Sequence, residues 1–164
     1  MTDSGDSGND VSLWTSSLRP QAIDDQVLSA WRQSPLLTDV DKRIATRLVK
    51  LTHVRQYRTG EFLFQQGEAG VAAGLIIQGR VHILSGDRQI ATLESGDLFG
   101  EVALLEDAPR TASARADGDV LVSFLVRYQL EEFVRHRPLA GAQIMTNLAR
   151  QLALRLHHSN SGAR

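Results

Sequence analysis

The sequence predicts a mainly β domain with helices at both ends, and three observations predict it. Between His53 and Val126, short apolar runs alternate with Gly, Asp and Ser at regular intervals, the texture of a sandwich or barrel of short strands. Before and after that stretch, apolar residues recur every three or four positions, the period of an amphipathic helix. At 164 residues the chain suits one domain with a real core.

The elements follow in order. Residues 1–12, MTDSGDSGNDVS, are polar and rich in Gly and Ser, and cannot bury enough surface to fold alone. Leu13, Trp14 and Leu18 come next. Residues 1–20 therefore read as a tail, disordered or docked on its own domain, with a partner-binding hook as the alternative. From Gln21 to Leu51, Ile23, Val27, Leu28 and Trp31, then Ile44, Leu48 and Val49, keep helical spacing. Ser34-Pro35 and Thr38-Asp39 break that run, because Pro lacks a donor and disfavours helix before it. Two short helices joined by a turn are expected.

Phe62-Leu63-Phe64 opens the strand region after Thr59-Gly60. Leu75-Ile76-Ile77 reads as a strand stopped by Gln78-Gly79. Val81 to Leu84 alternates and ends at Ser85-Gly86-Asp87, a hairpin signal. Ile90 and Leu93 precede Ser95-Gly96-Asp97. Later strands run over Ala112–Ala116 and Val120–Val126, with an Asp117-Gly118 turn between them. Gln129 to His136 is helical, and Pro138 ends that helix or opens the next. Ala142, Met145, Ala149, Leu152 and Leu156 then form a heptad-like seam widened by Leu148. That seam suits either a helix packed on its own domain or a homodimer contact through helix 139–157.

Bulk properties exclude several classes. The formal net charge of −1 gives no support for a nucleic-acid-binding surface. The absence of cysteine removes disulfides and thiolate metal sites. No apolar run approaches the roughly 18 residues of a membrane span. The N-terminus lacks the basic and apolar regions of a signal peptide, so a cytoplasmic protein is expected. His53 and His82 are isolated and no His-x-His pair exists, so a metal-dependent cupin-type enzyme is a remote alternative. No nucleophile elbow, Walker loop or paired-acid arrangement appears.

The most informative segment is residues 99–112, FGEVALLEDAPRTA. It places a carboxylate, Glu101, and a guanidinium, Arg110, at the ends of a short apolar turn. A Glu accepts hydrogen bonds from sugar hydroxyls, and Arg offers a planar fork of donors to a phosphate. A ligand with both a diol and a single phosphate would satisfy both. Glu101 to Leu105 can form one helical turn whose first N–H groups have no internal partner and favour an anion. Gly100 admits close backbone approach, and Pro109 stiffens the chain before Arg110.

Phe99, Gly100, Glu101, Ala103, Leu104, Pro109, Arg110, Thr111 and Ala112 resemble the phosphate-binding cassette of cyclic nucleotide-binding domains, the family of the catabolite activator protein and the kinase regulatory subunits. Weaker resemblance extends from about Trp31 to His157. It implies an antiparallel β-roll of jelly-roll type, followed by a long C-terminal helix. It also implies that a cyclic mononucleotide is bound as a regulatory signal, without catalysis or metal. Residues 21–158 would form the domain and 159–164 a disordered tail. By resemblance the ligand site comprises Phe99, Gly100, Glu101, Val102, Ala103, Arg110, Thr111 and Ala112. Arg110 would take the cyclic phosphate and Glu101 the ribose 2′-hydroxyl. The backbone N–H groups of Ala103 and Ala112 would complete the cradle. Thr111 bears on the base, and cAMP is favoured over cGMP. Gln151, Arg155 and Leu156 are lid candidates.

Gly60, Gly67, Gly79, Gly96 and Gly100 fall where the family places turn glycines. Gly74 stands where the family often has an aromatic residue, which implies looser packing behind the roll. The bacterial regulators of this family carry a helix-turn-helix after the long helix. The six residues from Ser159 to Arg164 cannot make one, so no DNA binding by this chain alone is expected. If the chain is a whole protein, output would pass to an effector protein or through dimer rearrangement; if it is a fragment, an output domain belongs to the remainder. Two alternatives stay open: a nucleotide-independent interaction module of the same fold, and a ligand-free Glu101–Arg110 salt bridge.

Overall fold

The computed structural model describes residues 13–14 and 20–162. The expectation for the N-terminal tail falls largely on residues outside that range. The described part begins with β1 (Leu13–Trp14), which pairs antiparallel with β2 (His53–Tyr57). Helix α1 (Gln21–Gln33), a 3₁₀ turn (Pro35–Leu37) and α2 (Lys42–Val49) lie between those two strands in the chain. Asp41 caps α2, its carboxylate accepting from the backbone N–H of Arg43 and Ile44.

The remaining strands are β3 (Phe62–Phe64), β4 (Ala72–Ser85), β5 (Arg88–Leu93), β6 (Leu98–Phe99) and β7 (Ser113–Val126). All pairings are antiparallel. The order is β1-β2-β7-β4-β5, with β3 added to β7 and β6 added to β4. This is the expected β-roll.

The two long strands correct the sequence reading. Gln78-Gly79 and Asp117-Gly118 do not end strands. They sit inside β4 and β7, where the register jumps from Gln78↔Leu121 to Arg80↔Asp117. Gly79 has φ +92°, and a Cβ there would press on Val120 and on the Asp119 carbonyl. Both strands bend at one level, and the glycine serves a bulge rather than a turn. The other four cassette-family glycines, Gly60, Gly67, Gly96 and Gly100, also have positive φ.

Side-chain parity sorts the core into two clusters. Ala73, Leu75, Ile77, Leu121 and Leu125 face the helices, packing with Trp31, Leu36, Leu48, Leu130, Ile144 and Leu148. Tyr57, Ile76, Val81, Phe99, Ala114, Val120 and Val122 face the inside of the roll. Both faces of the first half of β4 are covered, which explains its unbroken run of buried residues. Trp31 is tied to the sheet by its indole N–H, which donates to Ser123 Oγ at 2.8 Å.

Helix α3 (Arg127–His136) follows β7 directly, and α4 (Pro138–Ser161) opens with its proline in the first turn. Gly141 lets α4 approach α3, since a Cβ there would lie 2.7 Å from Val134 Cγ1. The buried face of α4 is Gly141, Ile144, Asn147 and Leu148. Of the expected seam, Met145 and Leu152 are partly buried, whereas Ala142, Ala149 and Leu156 are exposed. Asn147 explains the offset: its Nδ2 donates to the carbonyls of Leu36 and Thr38 at 3.0 and 2.7 Å, fixing the helix's rotation. The helix runs through Ser159–Ser161, past the expected boundary at His158, because no breaker precedes Gly162.

Candidate functional site

The segment after β6 makes a left-handed step at Gly100, with φ +69°, and then a single 3₁₀ turn, Glu101–Leu104. A Cβ on Gly100 would meet Arg110 Nη1 at 2.5 Å. The glycine is therefore required twice, for its backbone angle and for the space its neighbour fills. The return limb is stitched to the loop before β4. Gly67 N–H donates to the Arg110 carbonyl, Arg110 N–H to the Glu68 carbonyl, and Gly70 N–H to the Ala108 carbonyl.

These limbs wall a cavity of about 480 Å³, whose lining includes Phe99, Glu101, Arg110, Thr111, Ala112 and Arg155. That volume lies in the usual range for small-molecule sites. Gly100, Val102 and Ala103 also line it, so all eight sequence-predicted ligand residues surround one space. Val102 and Thr111 are exposed; Ala103 is buried. The apolar floor comes from Ile83, Ala91 and Leu93.

Glu101 is only 2 % exposed. Its Oε1 lies 3.0 Å from Arg155 Nε, while its Oε2 is buried with no hydrogen-bond partner. Burial pushes its carboxyl above the usual glutamate range, and its own backbone N–H and the Arg155 charge pull it partly back. Arg155 also donates from Nη2 to the Leu98 carbonyl at 2.8 Å. Of the three lid candidates, the structure brings Arg155 to the site. Gln151 and Leu156 do not line the cavity, and Leu156 is exposed on another face of α4.

Arg110 is half-buried and held from three sides. Its Nη2 donates to the Ala72 carbonyl at 2.7 Å and its Nη1 reaches the Gly100 carbonyl at 3.5 Å. Its guanidinium carbon lies 4.1 Å from the Phe64 ring centroid, a cation–π contact. Its Nε is buried without a partner. Burial lowers its pKa and the Glu68 charge raises it. Glu101 pairs with Arg155 and not with Arg110, so the ligand-free bridge between the two cassette ends is not formed.

Two local expectations are corrected. The Ala103 N–H is not free for a ligand: it donates to the Gly100 carbonyl at 3.1 Å, the i→i−3 bond of the 3₁₀ turn. Gly74 does not loosen the roll. The Phe99 ring fills its missing side chain, and a Cβ there would lie 2.7 Å from Phe99 Cε1 and 3.0 Å from Phe124 Cε1. Phe99 stands edge-on to Phe124 at 6.3 Å and tilted against Phe64 at 6.0 Å, so the ring supporting Arg110 is itself backed by packed aromatics.

Arg127, Phe64 and Glu68 escaped the sequence reading. Only Phe64 carried a signal, as an aromatic in a short strand, and its partner lies forty-six positions on. Among the described residues, no group of three or more His, Asp or Glu side chains is placed to hold a metal ion, and no helix is long and apolar enough to cross a membrane.

A family model for the cyclic nucleotide-binding domain matches residues 54–137. The chain belongs to that family. It is 36% identical over 103 residues to the cyclic AMP receptor protein of Thermus thermophilus, covering 60% of this chain and 48% of that protein. It is 31% identical over 91 residues to a cAMP-dependent protein kinase regulatory subunit of Hypocrea atroviridis, covering 56% of this chain and 20% of that one. The chain thus spans half or less of the length of these curated relatives. A crystal structure of a cyclic nucleotide-binding domain from Methylobacillus flagellatus superposes with a TM-score of 0.75 at 21% identity, covering 87% of this chain and 83% of that one.

Proposed function

We propose that the chain senses a cyclic mononucleotide, with cAMP favoured over cGMP, and that it does no catalysis. The observation that carries this reading is Glu101 Oε2, a buried acceptor without a donor on the wall of a nucleotide-sized cavity. An unsatisfied buried carboxylate oxygen is unfavourable. A ribose 2′-hydroxyl would donate to it while Arg155 keeps Oε1. The unpartnered Nε of the packed Arg110 is the matching cation for the cyclic phosphate. Thr111 and Arg155 supply the polar groups near the base.

Ligand binding would reach α4 through Arg155. Beyond Leu152 the helix is exposed, and Arg155 holds it to the roll through Glu101 and the Leu98 carbonyl. A ligand that reshapes the acceptor therefore shifts where the last turns lie, a two-state bias. The exposed row Ala142, Ala149 and Leu156 would then serve a homodimer or an effector protein.

A hydrogen bond to a charged group contributes about 1.5–3 kcal/mol. A micromolar ligand has about 8 kcal/mol in all. The test is calorimetry on the purified chain with cAMP, cGMP and cyclic dinucleotides. Heat at micromolar cAMP, weaker for cGMP, is expected. No heat and no thermal shift with any of them would contradict the reading and favour a nucleotide-independent interaction module.

A further inference from the structure

Arg127 stands outside the cavity, at the junction of β7 and α3, yet its side chain is spent on the cassette. Its Nη1 donates to the Ala103 carbonyl at 3.1 Å and reaches the Gly70 carbonyl at 3.4 Å. Its backbone N–H donates to the Val71 carbonyl at 2.9 Å. Asp107, on the outgoing limb of the cassette, lies 3.7 Å from Nη2, and Glu131, one turn along α3, lies 3.9 Å from Nε. The guanidinium side chain is 19 % exposed, so its bonds to the Ala103 and Gly70 carbonyls form largely out of water, whereas the Asp107 and Glu131 carboxylates lie at the surface.

We infer that Arg127 is a positioning residue that fixes the cassette from behind and ties its shape to α3. Ala103 and Gly70 belong to the two walls that frame the cavity, and both line it. Holding their carbonyls with one nitrogen sets the spacing between those walls. The other two nitrogens answer to a carboxylate on the cassette limb and one on α3. A planar fork can meet such divergent acceptors at once, whereas a single ammonium cannot. Displacing the 3₁₀ turn would pull on Arg127, and through it on the first turn of α3. The strength of ligand binding then depends on a residue that never touches the ligand, because the cassette is shaped before the ligand arrives.

This inference rests on the cyclic nucleotide reading for its affinity effect but not for its effect on the empty chain. The experiment uses the full chain as wild type, Arg127→Lys and Arg127→Ala. Amide hydrogen exchange is measured without ligand, and cAMP affinity by calorimetry. In Arg127→Lys, exchange should accelerate at residues 70–71 and 101–105 while α1 and α2 stay as in wild type. Affinity should fall about tenfold, the equivalent of one charge-assisted hydrogen bond, and further in Arg127→Ala. Wild-type exchange and affinity in both variants would overturn the inference. So would acceleration spread evenly over the whole domain, which is the signature of plain destabilisation. If wild type binds no cyclic nucleotide, the functional reading fails, and the exchange pattern of the empty chain still decides the role of Arg127.

Discussion

The two faces of the same sheet differ in how their buried polar atoms are treated. On the helix side, among the described residues, all such groups but one have a partner. Trp31 donates to Ser123, the Ser34 and Thr52 hydroxyls donate to the Trp31 and Val49 carbonyls, and Asn147 binds two carbonyls and accepts from Gln143. On the roll side a cavity remains, and Glu101 Oε2 and Arg110 Nε have none. Among the described residues the other buried side-chain atom without a partner is Gln129 Oε1 on α3. One face is closed, with a single unpartnered amide oxygen on α3, while the other is open and holds a split pair of opposite charges. Buried orphan atoms in the helix-facing core would be defects. Beside a cavity they are, on the proposed reading, places for a ligand's atoms.

Breaking the open face should give the largest effect. Arg110→Ala should lower cAMP affinity by a hundredfold or more, about two charge-assisted hydrogen bonds, as measured by calorimetry. Phe64→Ala leaves the guanidinium but removes the ring beneath it. Affinity should fall by about tenfold, in keeping with roughly 1–2 kcal/mol for a partly desolvated cation–π contact.

The closed face should respond in stability and not in binding. Trp31→Phe strands the Ser123 hydroxyl in the core. It should cost about 1–3 kcal/mol in denaturant unfolding, with cAMP affinity unchanged in the protein that remains folded. Gly74→Ala should cost a similar amount by overpacking against Phe99 and Phe124.

Glu101→Gln separates stability from binding, because the two readouts should move in opposite directions. Burial raises the native carboxyl pKa above its unfolded value, so between those values the native state binds more protons than the unfolded one. Glu101's contribution to stability is therefore most favourable below the ordinary glutamate pKa and is lost as pH rises through the raised native one. The glutamine variant should lack that pH dependence and be as stable as wild type or slightly more so at pH 7. Its cAMP affinity should nevertheless fall about tenfold, the worth of one bond to a charged acceptor. The smallest effect should come from Thr111→Ala. A cAMP affinity within a few-fold of wild type is expected, and a larger loss for cGMP would place Thr111 at the base.

Much of this was legible in the sequence because the cassette is local. Fourteen consecutive residues carry a turn glycine, an acid, a stiffening proline and a cation, and local geometry brings them to one cavity. The helices were legible from their period, and the roll from its strands and turns. What was missed depends on distant partners. The sequence could not say which of Gln151, Arg155 and Leu156 faces the roll, because α4's rotation is set by Asn147 reaching carbonyls more than a hundred positions earlier. Gly79 and Gly118 carry the same signal whether they end a strand or bulge it. Gly74 looked like lost packing because its filler, Phe99, lies on another strand. A lone arginine at a strand–helix junction, such as Arg127, has no pattern that announces it.

In the proposed function Glu101 and Arg110 divide one cyclic nucleotide between them. A crystal structure of the chain grown with saturating cAMP tests it most directly. The ribose 2′-hydroxyl should lie within hydrogen-bond distance of Glu101 Oε2 and the cyclic phosphate against the Arg110 guanidinium. An empty cavity at saturating ligand, or a nucleotide seated away from both side chains, would contradict it.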